Sequence, residues 1–305
     1  MIGAASLTAN ELREGIRRVR DHTGRPFGVD ILFATVGRAA ADQATTRFTR
    51  EVEAQIDVVF DEHVPVLASG LGNPGPAVAQ AHSLGIKVLA LVGNTSNARR
   101  VAESGVDAIV AQGHDAGGHT GRVGTFALLP AVIDAVNVPV LAAGGIADGR
   151  GLIAALALGA CGIWMGTRFV ASQESYCHDN YKRRIVDIDE EGTTVTRCFS
   201  GKPCRVIRNR TTAAWEAPDL QSRIAPFPLQ FGVIGEWLGE DPYIAGRRAG
   251  NADVGALAAG QSSGLIESVL PAAQIVRDVV AEAERVLERL GGAPNTMRQE
   301  TPEGG

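Results

Sequence analysis

The chain has 305 residues, 45% of them hydrophobic, enough apolar material to bury the core of one large domain or of a barrel with an appendage. Its formal charge is -5 at pH 7, from 29 basic and 34 acidic residues, and no basic cluster is dense enough to track a phosphate backbone, although "RVIRNR" (205–210) is locally positive, which argues against a nucleic-acid partner. A membrane span is excluded as well, because "GLIAALALGACGIWMG" (151–166), the longest apolar run, is interrupted by Gly159 and Gly162.

In chain order, short β-branched runs alternate with amphipathic stretches about a dozen residues long, the βα pattern of a parallel sheet. Strands are predicted at "MIGAAS" (1–6), "FGVDILF" (27–33), "VPVLASG" (64–70), "IKVLALVG" (86–93), "DAIVAQG" (107–113), "VPVLAAGG" (138–145) and "GIWMGTR" (162–168). Helices are signalled by Thr8 with Glu11 three residues on, by "TRFTREVEAQIDVVFDE" (46–62), and by "SNARRVAESG" (96–105), which closes on a glycine. Strands apolar on both faces belong to doubly wound sheets or (β/α)8 barrels, and the regular spacing favours an α/β TIM-type barrel. Seven strands leave one unit uncounted, so a first βα unit is expected to be missing. From about residue 176 the rhythm stops. The expected division is a barrel of 1–175 plus 259–290, a smaller, mainly helical domain of 176–258, and a disordered tail of 291–305.

The start of the chain lacks the basic flank and long apolar core of a secretory signal. Cys161, Cys177, Cys198 and Cys204 form no C-x-x-C pair, so a reducing cytoplasm is expected rather than a disulfide framework. Cys161 reads as a small core residue, and Cys198 and Cys204 have no evident base nearby.

Barrels commonly bind a phosphate on the loops after their seventh and eighth strands, facing backbone N–H groups. With the first unit missing, these loops are "AAGGIADGRG" (142–151) and "MGTRF" (165–169). Gly144 and Gly145 permit close approach of an anion, Asp148 can cap the following helix, and Gly166 with Thr167 adds N–H groups and a hydroxyl. Before them, "AQGHDAGGHTGR" (111–122) makes Gln112 the end of a strand and "GHDAGGHTG" a flexible loop on the active face. His119, with Gly117 and Gly118 before it and Gly121 after it, can approach a flat ligand and is the leading catalytic candidate. A metal site of His114, Asp115 and His119 fits no helix-face spacing, so no metal is expected. His114 reads as a solvent-exposed loop residue, and His22, His63, His82 and His178 as surface residues. Gln261 and Ser262 in "AGQSSGLI" (259–266) could close over a ligand, although Gly-Ser loops are commonly only loops.

Taken together, "AQGHDAGGHTG", "VPVLAAGGIADGRGLIAALALGACGIWMGTRF", "RVIRNR" and "AGQSSGLI" resemble the nitronate monooxygenases, formerly 2-nitropropane dioxygenases, which are FMN-binding (β/α)8 enzymes. These motifs are shared with the similar flavin-dependent enoyl-acyl-carrier-protein reductases. The resemblance implies FMN over the barrel mouth, its phosphate on Gly144, Gly145, Gly166 and Thr167, with Gln112, Gly117 and Gly118 lining the cofactor, Gln261 and Asp30 contributing to its site, and His119 as the active-site histidine. It further implies that a nitronate or nitroalkane is oxidised with O2 to a carbonyl compound and nitrite, a detoxifying reaction, with a homodimer as the base-rate assembly. Relatives carry a further strand and helix ahead of "MIGAA", and many have asparagine where Asp30 stands; an amide can donate to a flavin and a carboxylate cannot.

Overall fold

The computed structural model describes residues 1–5, 7–33 and 43–292. Seven strands, β1 (Ile2–Gly3), β2 (Gly28–Ile31), β3 (Val66–Ser69), β4 (Lys87–Val92), β5 (Ala108–Gln112), β7 (Val140–Ala143) and β8 (Gly162–Trp164), form one parallel sheet in that order. All seven lie where the sequence predicts strands. Each crossover helix covers an apolar face: α1 (Ala9–His22), α2 (Gln43–Asp61), α3 (Gly75–Ser83), α4 (Thr95–Glu103), α5 (Thr125–Ile133) and α6 (Gly149–Ala157). The Thr8–Glu11 capping box is formed, and Leu12 and Ile16 of α1 are fully buried, each contributing about 1.5–3 kcal/mol of burial energy.

Two expectations are corrected here. The strand expected over 162–168 ends at Trp164, because Gly166 instead caps a one-turn helix, α7 (Thr167–Val170). The loop expected after Gln112 contains a short strand, β6 (Gly118–His119).

Beyond residue 175 come α8 (Asp179–Val186), β9 (Thr193–Thr196), β10 (Cys204–Ile207), α9 (Arg210–Ala214), α10 (Pro218–Gln221), α11 (Gln230–Leu238) and α12 (Pro242–Arg247). Helices predominate, as expected, but β9 and β10 also join β6 in a second, antiparallel sheet of order β6-β10-β9. Cys198, Phe199, Cys204, Val206, Trp215 and Ile234 bury an apolar core under it.

A 3-10 turn, Gln261–Leu265, leads to α13 (Ala272–Gly292), which packs on α6. The crossing is close: a Cβ on Gly149 would lie 2.3 Å from the nitrogen of Ala283, and the Gly149 N–H donates to Glu282 at 2.9 Å. Since α13 runs to Gly292, the expected tail is helical over 291–292; the remainder lies outside the described residues. No described helix is long and apolar enough to cross a membrane.

Candidate active site

The ends of β3, β4 and β5 and the loop after β5 surround a cavity of about 200 Å³, lined among others by Gly70, Leu91, Arg100, Gln112, His119 and Lys202. Its charged lining residues are cations. Arg100 is exposed, at the outer side, and Lys202 is half-buried.

His119 enters this cavity because β6 pairs with β10, setting it opposite Cys204. Its Nε2 lies 2.8 Å from Oγ of Ser200, and the ring meets Phe227 edge-on at 6.2 Å. The Gln112 amide donates to the carbonyl of His119 at 2.7 Å, so the strand end and the histidine are fixed to each other. Burial, then the positive charges of Lys202 and Arg247, push the imidazole down to about 4. At neutral pH the ring is uncharged.

The Ser200 hydroxyl also faces both ends of the Lys202 peptide: it is 3.3 Å from the carbonyl, to which it can donate, and 3.3 Å from the N–H, from which it accepts. It therefore satisfies either neutral tautomer of His119, which decides whether Nδ1 carries a proton. Lys202 extends its ammonium over the Phe227 ring at 4.8 Å, and burial lowers its pKa.

The glycines take up backbone that other residues would not fit. Gly144 and Gly145 have φ of 96° and 72°, and a Cβ on Gly144 would meet Thr125 Oγ1 at 2.9 Å. Gly117 is pressed against Ala259, whose carbonyl carbon would lie 2.6 Å from an added Cβ. Beside Gly118 and Gly166, by contrast, the space is open to 4 Å. Thr167 is buried, and its hydroxyl accepts from the Gly260 N–H at 2.9 Å, bringing the loop after β8 against the 259–266 segment.

The other candidates divide. Asp30 lies behind Gly70, which lines the cavity: an added Cβ on Gly70 would be 2.7 Å from its Oδ1. Gln261 is not brought to His119. Its N–H donates to the Asp115 carbonyl at 2.9 Å, and it lines a second, open cavity with His114, Glu190, Arg205 and Arg208. His114 corrects the sequence reading, being half-buried and tied through Nδ1 to the Gly121 carbonyl at 2.8 Å. Asp115 accepts from the Thr125 N–H at 2.7 Å, so both are held in loop contacts. Among the described residues, no group of three His, Cys, Asp or Glu is arranged for a metal. Cys161, expected in the core, is exposed, whereas burial pushes the Cys198 and Cys204 thiols up to about 12, far from reactive thiolates.

Ser200, Lys202, Arg100 and Phe227 escape sequence reasoning. The only local cue is "FSGKP" (199–203), whose Gly201 has φ 81° and turns the chain between β9 and β10.

Comparison with known proteins now bears on this geometry. Residues 1–282 match the family model for nitronate monooxygenase. The chain belongs to the nitronate monooxygenase family. It is thus a flavin-dependent oxidoreductase on a TIM-barrel-like scaffold. The solved FabK of Thermotoga maritima is 35% identical, with a TM-score of 0.83 over 95% of this chain and 86% of that one. A nitroalkane oxidase from Streptomyces ansochromogenes is 30% identical, with a TM-score of 0.80 over 94% and 89%. A Rhodococcus jostii protein named (3aS,4S,5R,7aS)-5-hydroxy-7a-methyl-1-oxo-octahydro-1H-indene-4-carboxyl-CoA dehydrogenase is 33% identical over 95% of this chain and 87% of that protein.

Proposed function

We propose that the chain is an FMN-dependent nitronate monooxygenase acting on preformed alkyl nitronates, with neutral nitroalkanes as poorer substrates. The observation that carries this reading is a neutral, half-buried His119 in a cavity whose charged lining residues, Arg100 and Lys202, are both cations.

FMN fits the residues present. We assign its phosphate to the backbone at Gly144, Gly145, Gly166 and Thr167, where two positive-φ glycines and a helix start supply backbone N–H groups. Its ring is assigned to the open ground beside Gly118, with Gln112, Gly117 and Asp30 around it, while Gln261 supports the loop through Asp115. Bound there, FMN supplies the electron acceptor through which O2 converts a nitronate to a carbonyl compound and nitrite. On this reading residues 1–175 with 259–290 form the flavin-binding barrel and 176–258 the substrate-side layer. Four free thiols suit a reducing cytoplasm.

The chain's own groups favour the anion over the neutral carbon acid. A general base works best when it titrates near the operating pH, and His119 at about 4 is far below it. With the Ser200 hydroxyl donating to Nε2, the neutral ring carries its proton on Nδ1 and can donate to a nitronate oxygen, while Lys202 supplies the countercharge.

The test is O2 uptake by the FMN-loaded, desalted chain without nicotinamide. The expected result is a rate with propyl-2-nitronate at least about tenfold above that with 2-nitropropane near neutral pH. No nitronate-driven uptake would overturn it. A second reading, NAD(P)H-dependent reduction of an enoyl thioester, is favoured by the exposed Arg100 at the outer side of the cavity, where a phosphate-bearing thioester would find a cation. Anaerobic bleaching of the flavin by NADH or NADPH would mark it.

A further inference from the structure

Asp30 is the penultimate residue of β2, next to β1 and β3 and in register with Gly3 and Ala68. Its Oδ1 is closed to solvent and has no hydrogen-bond partner, an arrangement a charged carboxylate does not tolerate cheaply. The carboxyl occupies this place because residue 70 is glycine: an added Cβ there would lie 2.7 Å from Oδ1 and 2.9 Å from Oδ2. Gly70 itself lines the cavity that holds His119 and Gln112, so the unpartnered group stands directly behind a residue of the assigned flavin site.

The surroundings hold little that would stabilise a charge. The Met1 amino group acts on Asp30 through its charge, the Gly70 N–H just past β3 donates to the Ile31 carbonyl at 3.0 Å, and β3 itself has no ionisable side chain. On the α2 side, the Gln55 amide is taken up by the carbonyls of Ala4 and Leu7. Among the described residues no cationic side chain pairs with Asp30. Burial outweighs the pull of Gly70 and Met1 and pushes the carboxyl up to about 7.

A protonated carboxyl is a donor, and a carboxylate only accepts. An oxidised flavin ring presents carbonyl and ring-nitrogen acceptors along its edge. We propose that Asp30 holds its proton toward an acceptor of the FMN ring, so that this chain grips its cofactor more tightly in the protonated state and releases it as pH rises. The inference rests on the FMN reading above.

The test compares FMN dissociation constants of the wild type and Asp30→Asn, by flavin fluorescence, between about pH 6 and about pH 9. The ratio of the two cancels the titration of the FMN phosphate and of every shared group. The amide donates at all pH, so the ratio should stay near its low-pH value below about pH 7 and then grow by about tenfold per unit in favour of the variant. A ratio independent of pH overturns the inference while leaving the FMN reading intact; loss of FMN from both chains at every pH overturns both. Should Asp30→Asn fail to fold, calorimetry of the wild type with FMN at about pH 8, in buffers of different ionisation heat, decides the matter. Uptake approaching one proton per FMN supports the inference, and no uptake refutes it.

Discussion

Nε2 of His119 lies 2.8 Å from Oγ of Ser200, a residue 81 positions further along the chain and anchored in the turn before β10. This contact makes the partner of the ring's Nε2, in either neutral tautomer, a group of the appended layer. Ser200→Ala is expected to lower kcat on nitronates about tenfold with FMN retention unchanged, and to cost about 1–2 kcal/mol of stability. Ser200→Thr should restore both, and nitrogen NMR of the His119 ring should show a changed tautomer ratio in the alanine variant alone.

Lys202 contributes to the depression of His119 after burial. In Lys202→Met the imidazole should titrate above about 4 but, with burial still acting, below its ordinary 6.5, as an NMR titration would show. KM for nitronates should rise about tenfold, and activity on neutral nitroalkanes should change less, because only the anion loses a countercharge.

The barrel strands are legible in the sequence because each is a short apolar run bounded by glycine, proline or a polar cap. β8 is the exception in length: "GIWMGTR" keeps its β-rich character past Trp164, but Gly166 starts a helix there. His119 is legible from its glycine neighbours. Ser200 and Lys202 are not, because they reach the cavity through the pairing of β6 with β10, a long-range contact that leaves no periodic trace. The same pairing explains β6, two residues too short to show an alternation. The burial of His114 and the exposure of Cys161 were equally hidden, since each depends on which neighbours the loop and the sheet edge acquire in three dimensions.

His119 and Asp30 should oppose each other in the pH dependence of stability. The folded chain holds His119 near 4 against an ordinary 6.5, so the unfolded chain binds more protons in that window and stability falls as pH drops through it. Asp30, near 7 against 3.8, binds more protons when folded, and its contribution falls as pH rises. Relative to the wild type, urea unfolding of His119→Asn should show stability declining from about pH 4 to about pH 7, and Asp30→Asn should show it rising, each by up to about 1.4 kcal/mol per unit. Parallel profiles for all three chains would contradict this assignment.

Gly117→Ala tests the docking of the active loop on the 259–266 segment. Its Cβ would fall within 2.8 Å of the Ala259 and Gly260 backbone, neither of which can rotate away. Overpacking of this kind costs about 1–3 kcal/mol, measurable as a shift in the urea midpoint without a change in m. Gly166→Ala, which meets open space and ordinary φ, should cost well under that in the cofactor-free protein.

By sequence Gly118 and His119 belong to a barrel loop, yet their inter-strand partners, Arg205 and Cys204, belong to the appended sheet. A tug on that sheet is therefore a tug on the histidine. The histidine is thus carried on two scaffolds at once, with Gln112 of the barrel holding its carbonyl and β10 of the appended sheet setting its register.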